Sequence, residues 1–70
     1  MWRAPLVSQL VRERIVVTLK DGQSFRGLFE ESDRNHVVLV DVEYLKQEGP
    51  MKVDGQVFVP REHIAFIQKP

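Results

Sequence analysis

The feature that most limits what this chain can fold into is the spacing of two glycines in LKDGQSFRGLF, residues 19–29. Gly22 follows Asp21, and an Asp-Gly pair between two alternating apolar runs sets a hairpin, because glycine accepts the positive φ such turns require. On its N-terminal side, RIVVTLK is rich in β-branched residues and puts Ile15, Val17 and Leu19 on one face. On the other side, QSFRGLFEES continues as a second strand with Gly27 in its interior. Glycine weakens a strand there. Its presence marks a bulge or tight bend, or a point of close backbone approach. A bend is the favoured reading, and packing against a helix backbone is the alternative.

Further along, HVVLVDVEYL is a third strand, apolar almost without a break through Val42. KQEGPMKVDG carries Gly49-Pro50 and Asp54-Gly55 and reads as a loop, with at most a little strand at its edges. QVFVP is a short fourth strand stopped by Pro60, REH is a turn, and IAFIQ is a fifth strand. Ahead of them, PLVSQLVRER places Leu6, Val7, Leu10 and Val11 on one helical face, and Pro5 suits a helix's first turn. The expectation is a helix over about 5–13 and strands over about 15–20, 24–32, 36–45, 56–60 and 64–68. Consecutive short strands behind one helix make an all-β fold, a strongly bent five-stranded antiparallel barrel of the SH3-like kind.

Seventy residues make one domain, 1–70, whose core is small enough that oligomerisation is a common route to stability. With no cysteine, neither a disulfide nor a thiolate zinc site can help. Ten Lys and Arg balance ten Asp and Glu, which argues against a general polyanion coat but leaves room for a local basic patch. No apolar stretch approaches the roughly 20 residues of a membrane span. MWRAPLVSQLVRER is too short and too broken by charge for a secretory signal. The chain reads as soluble and cytoplasmic, with no membrane partner.

IVVTLKDGQSFRGLFEESDRNHVVLVD resembles the first signature of the Sm and Sm-like (LSm) family. That signature has an alternating strand, an Asp-Gly turn, a glycine in the second strand, an Asp in the next loop and an apolar strand closing on Asp. These fall on Asp21, Gly22, Gly27, Asp33 and Asp41. DGQVFVPREHIAFIQ resembles the second signature, with Gly55 before a short strand and Ile64 opening the last one. The resemblance implies a ring in which the fourth strand of one protomer pairs with the fifth of the next. The interface would take Val57, Phe58, Val59, Ile64 and Phe66. It also implies single-stranded RNA, U- or A-rich, bound by Arg34, Asn35, His36 and Arg61. Aligned from the strand side, His36 takes the family's Asn position and Arg34 its stacking position. Aligned from Asp33, these assignments shift by one. The family's Arg-Gly before the last strand is Pro60-Arg61 here. A lysine occupies the corresponding place in the bacterial Hfq branch, so a cation there is not foreign.

The residue types argue against catalysis. His36 and His63 lack metal-ligand spacing and read first as surface or strand-end residues. His36 is either a base-contacting residue or a plain loop end. Ser8, Ser24 and Ser32 have no nucleophile-elbow surroundings, and there is no glycine-rich phosphate loop. No catalytic residue, metal or cofactor is expected. Asp33 suits hydrogen bonding to its own loop backbone. Arg12, Arg14, Arg34 and Arg61 are candidates for a basic surface, since a guanidinium can pair with phosphate and stack on a base. The leading expectation is a homo-oligomeric ring that binds RNA. The rival is a structural ring or connector that uses the same fold for protein contacts alone, and a monomeric peptide-binding barrel is a third possibility.

Overall fold

The computed structural model describes residues 10–70. The helix expected over about 5–13 falls mainly outside the described residues. Residues 10–12 form a turn closed by Glu13 N–H to the Leu10 carbonyl at 2.9 Å, with Arg12 in the left-handed region at φ 69°.

The β-branched run forms β1 (Arg14–Leu19), burying Ile15 and Val17 while Arg14 stays exposed. Residues 20–23 make the turn after it. Gly22 N–H donates to Leu19 C=O at 3.0 Å, Leu19 N–H donates to Gln23 C=O at 2.7 Å, and Gly22 takes φ 95°. The Asp21 carboxylate accepts from Gln23 N–H at 3.0 Å and so fixes the turn locally. The chain returns as β2 (Ser24–Ser32) and then β3 (His36–Lys46), each antiparallel to its predecessor.

Gly27 sits where β2 and β3 lose register. Arg26 faces Glu43 but Leu28 faces Val40, so Asp41 and Val42 together oppose the single Gly27. This is a bulge on β3, and its positive φ belongs to Asp41 (52°) and not to Gly27. The glycine is needed for space. A Cβ there would lie 3.1 Å from the Val40 carbonyl oxygen and 3.1 Å from Val42 Cγ2. The bend is present, and the backbone of β3 approaches closely; the helix of the alternative reading lies mainly outside the described residues. Three residues on, Glu30 is the extra residue of an opposite bulge on β2, and the register recovers. Paired bulges of this kind bend a sheet sharply while keeping each side chain on its face.

The segment read as a loop contains a strand, β4 (Gly49–Val53), paired with residues 42–46 of β3 through a two-residue turn. β5 (Val57–Pro60) pairs with residues 36–39 of the same strand. β4 and β5 therefore lie end to end along β3, as two halves of one bent strand broken at residues 54–56, where Gly55 takes φ 79°. The sequence hides this because Gly49, Pro50 and Asp54-Gly55 are turn formers, yet Pro50 is tolerated on an edge strand that needs no N–H from it. A 3-10 turn (Arg61–His63) leads to β6 (Ile64–Gln68), which pairs with β1. The sheet order is β4-β3-β2-β1-β6, with β5 beside β3.

The strongly bent antiparallel sheet wraps around a core of Ile15, Val17, Phe29, Val37, Leu39, Val42 and Val59. Leu19, Val53, Val57, Ile64 and Ile67 pack at its margin. Phe25 and Tyr44 stack at 5.0 Å between ring centroids toward the hairpin end.

Candidate nucleic-acid interface

Two loops meet at one end of the sheet. The first joins β2 to β3. Its Asp33 carboxylate accepts from Asn35 N–H at 2.7 Å and His36 N–H at 2.6 Å, while Asp33 N–H donates to His36 C=O at 2.9 Å. This local cage is the role expected of an Asp in a turn. The donated backbone hydrogen bonds, with help from the nearby His36 and Arg61 charges, hold the Asp33 carboxyl below its ordinary range. The second loop is the 3-10 turn. Pro60 faces His36 in the ladder, Arg61 N–H donates to Asn35 C=O at 2.8 Å, and the Arg61 guanidinium donates through Nη2 to Ser32 Oγ at 2.6 Å.

The structure thus brings Asn35, His36 and Arg61 together. Arg34 and Asn35 expose their side chains, His36 Nδ1 lies 3.7 Å from Asp33 Oδ1, and Arg61 is half-buried. The described residues give the side chains of Arg34 and Asn35 no hydrogen-bond or ion-pair partner. Ser32 was not singled out by sequence as part of this site. It lies 29 positions from Arg61, and no spacing rule connects them.

Arg14, another sequence candidate for a basic surface, is engaged elsewhere. It pairs with Asp41 at the β3 bulge, where Lys52 of β4 also pairs with the same carboxylate. Hydrogen bonds from Lys52 and Arg14, reinforced by their charges, lower the Asp41 carboxyl to about 2. Arg26 and Glu43 pair beside them at 2.6 Å. This cluster lines a shallow open depression on the sheet whose cations are largely compensated.

The proposed interface residues divide by strand face. Phe58 on β5 and Phe66 on β6 are 59% and 52% exposed. Val57 and Ile64 are half-buried at the core margin, and Val59 is 3% exposed inside its own protomer's core. β5 pairs only with β3 and β6 only with β1, so each has one backbone edge without a partner among the described residues. Among the described residues there is no group of three or more His, Asp or Glu suited to a metal ion. No described helix is long and apolar enough to cross a membrane.

A family model described as the LSM domain matches residues 5–69. The chain belongs to the LSM domain family. Among solved structures, this LSM chain is similar to the Sm protein of Pyrococcus abyssii in complex with a uridine heptamer, at 22% identity and TM-score 0.85 over all of both chains. It is similar to the P. aerophilum SmAP1 heptamer, at 25% identity and TM-score 0.82, with 99% of this chain and 97% of that one covered. It is also similar to a chain of the NatC complex bound to CoA, at 20% identity and TM-score 0.80, over all of this chain and 87% of that one. No curated protein matches it.

Proposed function

We propose that this LSM-domain chain forms a single domain that assembles head to tail into a closed homo-oligomeric ring and binds single-stranded RNA, without catalysis. In this reading the open edge of β5 on one copy pairs with the open edge of β6 on the next. Repetition carries Arg34, Asn35, His36 and Arg61 around the ring. The supporting observation is the junction of the Asp33 loop and the Arg61 turn, which gathers cationic and amide groups beside the β5 edge. Two strand edges that have no partner among the described residues, each strand with an exposed phenylalanine, supply the means of assembly. A head-to-tail contact closes into a ring when its rotation allows. A weak site copied on every protomer gains avidity along one strand, so a neutral chain can hold a polyanion. The Pyrococcus relative bound to a uridine heptamer and the P. aerophilum heptamer lend weight to both halves of the proposal.

Light scattering tests assembly, and fluorescence anisotropy of short labelled U-rich and A-rich RNAs at low and moderate salt tests binding. Affinity should fall as salt rises, because binding to phosphates releases counterions. A ring that binds no single strand at low salt would instead support the connector reading. That rival draws on Pro60-Arg61 standing where the family has Arg-Gly, and on the similar fold found in the NatC complex.

A further inference from the structure

Within the proposed RNA site the two arginines are held very differently. Arg61 is bound into the fold: its backbone N–H reaches Asn35 C=O, its Nη2 reaches Ser32 Oγ at 2.6 Å, and its Nε is buried with no hydrogen-bond partner among the described residues. A guanidinium tied to Ser32 in this way has surrendered much of its freedom to follow a phosphate. Ser32 ends β2 immediately before Asp33, so the Ser32–Arg61 bond fixes the base of the loop whose tip carries Arg34 and Asn35. Those two side chains are exposed, and the described residues leave their polar groups uncommitted. An amide offers a donor and an acceptor to a base edge, and an arginine offers charge and a flat stacking surface.

We infer that Ser32 and Arg61 are positioning residues that clamp the Asp33 loop, and that Arg34 and Asn35 are the groups that touch the RNA strand. The inference rests on the RNA reading above and assigns the roles within it. Arg61 acts through backbone and hydroxyl hydrogen bonds, so its contribution is geometric. Arg34 acts through charge, so its contribution depends on salt.

The test is anisotropy of labelled oligouridine and oligoadenylate across a salt series, on rings whose size light scattering has verified. The variants are Ser32→Ala, Arg61→Ala, the double variant, Arg61→Lys, Arg34→Ala and Asn35→Ala. Ser32→Ala and Arg61→Ala should each weaken binding by about threefold to tenfold, as removal of a charge-assisted hydrogen bond that orders a loop would. The double variant should be no worse than the poorer single, because both remove the same bond. Their salt slopes should match wild type. Arg61→Lys should behave like Arg61→Ala, since the lysine ammonium ends one bond short of the Nη2 that reaches Ser32 Oγ. Arg34→Ala should flatten the slope of log K against log salt by about 0.7 for each phosphate that Arg34 neutralises on a single strand. Asn35→Ala should narrow the difference between oligouridine and oligoadenylate without changing the slope. The inference is overturned if Arg61→Ala flattens the salt slope, if Arg61→Lys restores affinity, or if Ser32→Ala binds like wild type. A wild-type ring that binds neither RNA would refute the RNA reading itself, and that titration comes first.

Discussion

Gly27→Val should destabilise the protein strongly, for a steric reason that can be worked through atom by atom. The φ of Gly27 lies outside the left-handed region, so a side chain there carries no backbone strain of its own. The obstacle is β3. Even one methyl would sit 3.1 Å from the Val40 carbonyl oxygen, 3.1 Å from Val42 Cγ2 and 3.4 Å from Val42 Cα. Two of these three neighbours are backbone atoms at a bulge, which cannot yield without disturbing the ladder. Overpacking of this kind costs about 1–3 kcal/mol, and about 0.4–1 kcal/mol returns because the unfolded chain loses glycine's freedom. Gly27→Ala should therefore lose about 1 kcal/mol net. Valine adds two carbons to the same crowded space and should lose about 2–4 kcal/mol. At about 4–8 °C per kcal/mol for a domain of this size, the melting temperature should fall by roughly 4–8 °C for alanine and roughly 8–32 °C for valine. Circular dichroism melts should be run at one protein concentration, because association raises the apparent midpoint. Combining Gly27→Ala with Val42→Ala should cost less than the two singles summed, since Val42 supplies one of the close approaches. A Gly27→Val variant that melts and assembles like wild type would refute the close-approach argument.

The Asp41 pairs make stability sensitive to acid. Its carboxyl is lowered from 3.8 to about 2 in the fold, so its contribution is present above the ordinary carboxylate range and is lost as pH falls toward 2. The stability gap between wild type and Asp41→Asn should be constant near neutrality and close between about pH 4 and 2, as followed by urea denaturation. An unchanging gap would show that the ion pairs contribute nothing. Asp41→Ala should be less stable than Asp41→Asn by about 1 kcal/mol, because alanine tolerates the left-handed φ of 52° poorly whereas asparagine accepts it. Equal melting points would remove the bulge conformation from the explanation. Phe66→Asp changes a side chain that is 52% exposed in the protomer, so the fold should survive while assembly fails. An intact ring by light scattering would place Phe66 away from the interface.

Much of the architecture was legible because it rests on local chemistry. The Asp21-Gly22 turn, the β-branched alternation of Ile15 and Val17, and the stop at Pro60 each act within a few residues. What escaped was long-range. β4 was obscured because Gly49 and Pro50 are poor strand formers. It exists because β3 is long enough to offer Val42, Tyr44 and Lys46 as partners beyond the stretch that pairs with β5. The left-handed Asp41 left no periodic trace, since a bulge is defined by the opposite strand. At the candidate site, Asp33 announced its turn by type and place. The Ser32–Arg61 bond did not, because a hydroxyl at a strand end has no distinctive pattern and its partner arrives 29 residues later. Arg14 looked like any other surface cation until the fold set it beside Asp41.

The two open edges also govern how assembly would proceed in time. Among the described residues, a single protomer leaves one β5 edge and one β6 edge unpaired. Under the proposed head-to-tail pairing, an arc of any number of copies presents the same two edges, one at each end. Growth therefore never exhausts the adhesive surface, and only the final joining step removes both edges at once. Arcs should exchange subunits and react with one another until they close, whereas closed rings should be slow to trade. Mixing two separately labelled preparations would then give hybrid rings rapidly only after dissociation, and very slowly from intact ones.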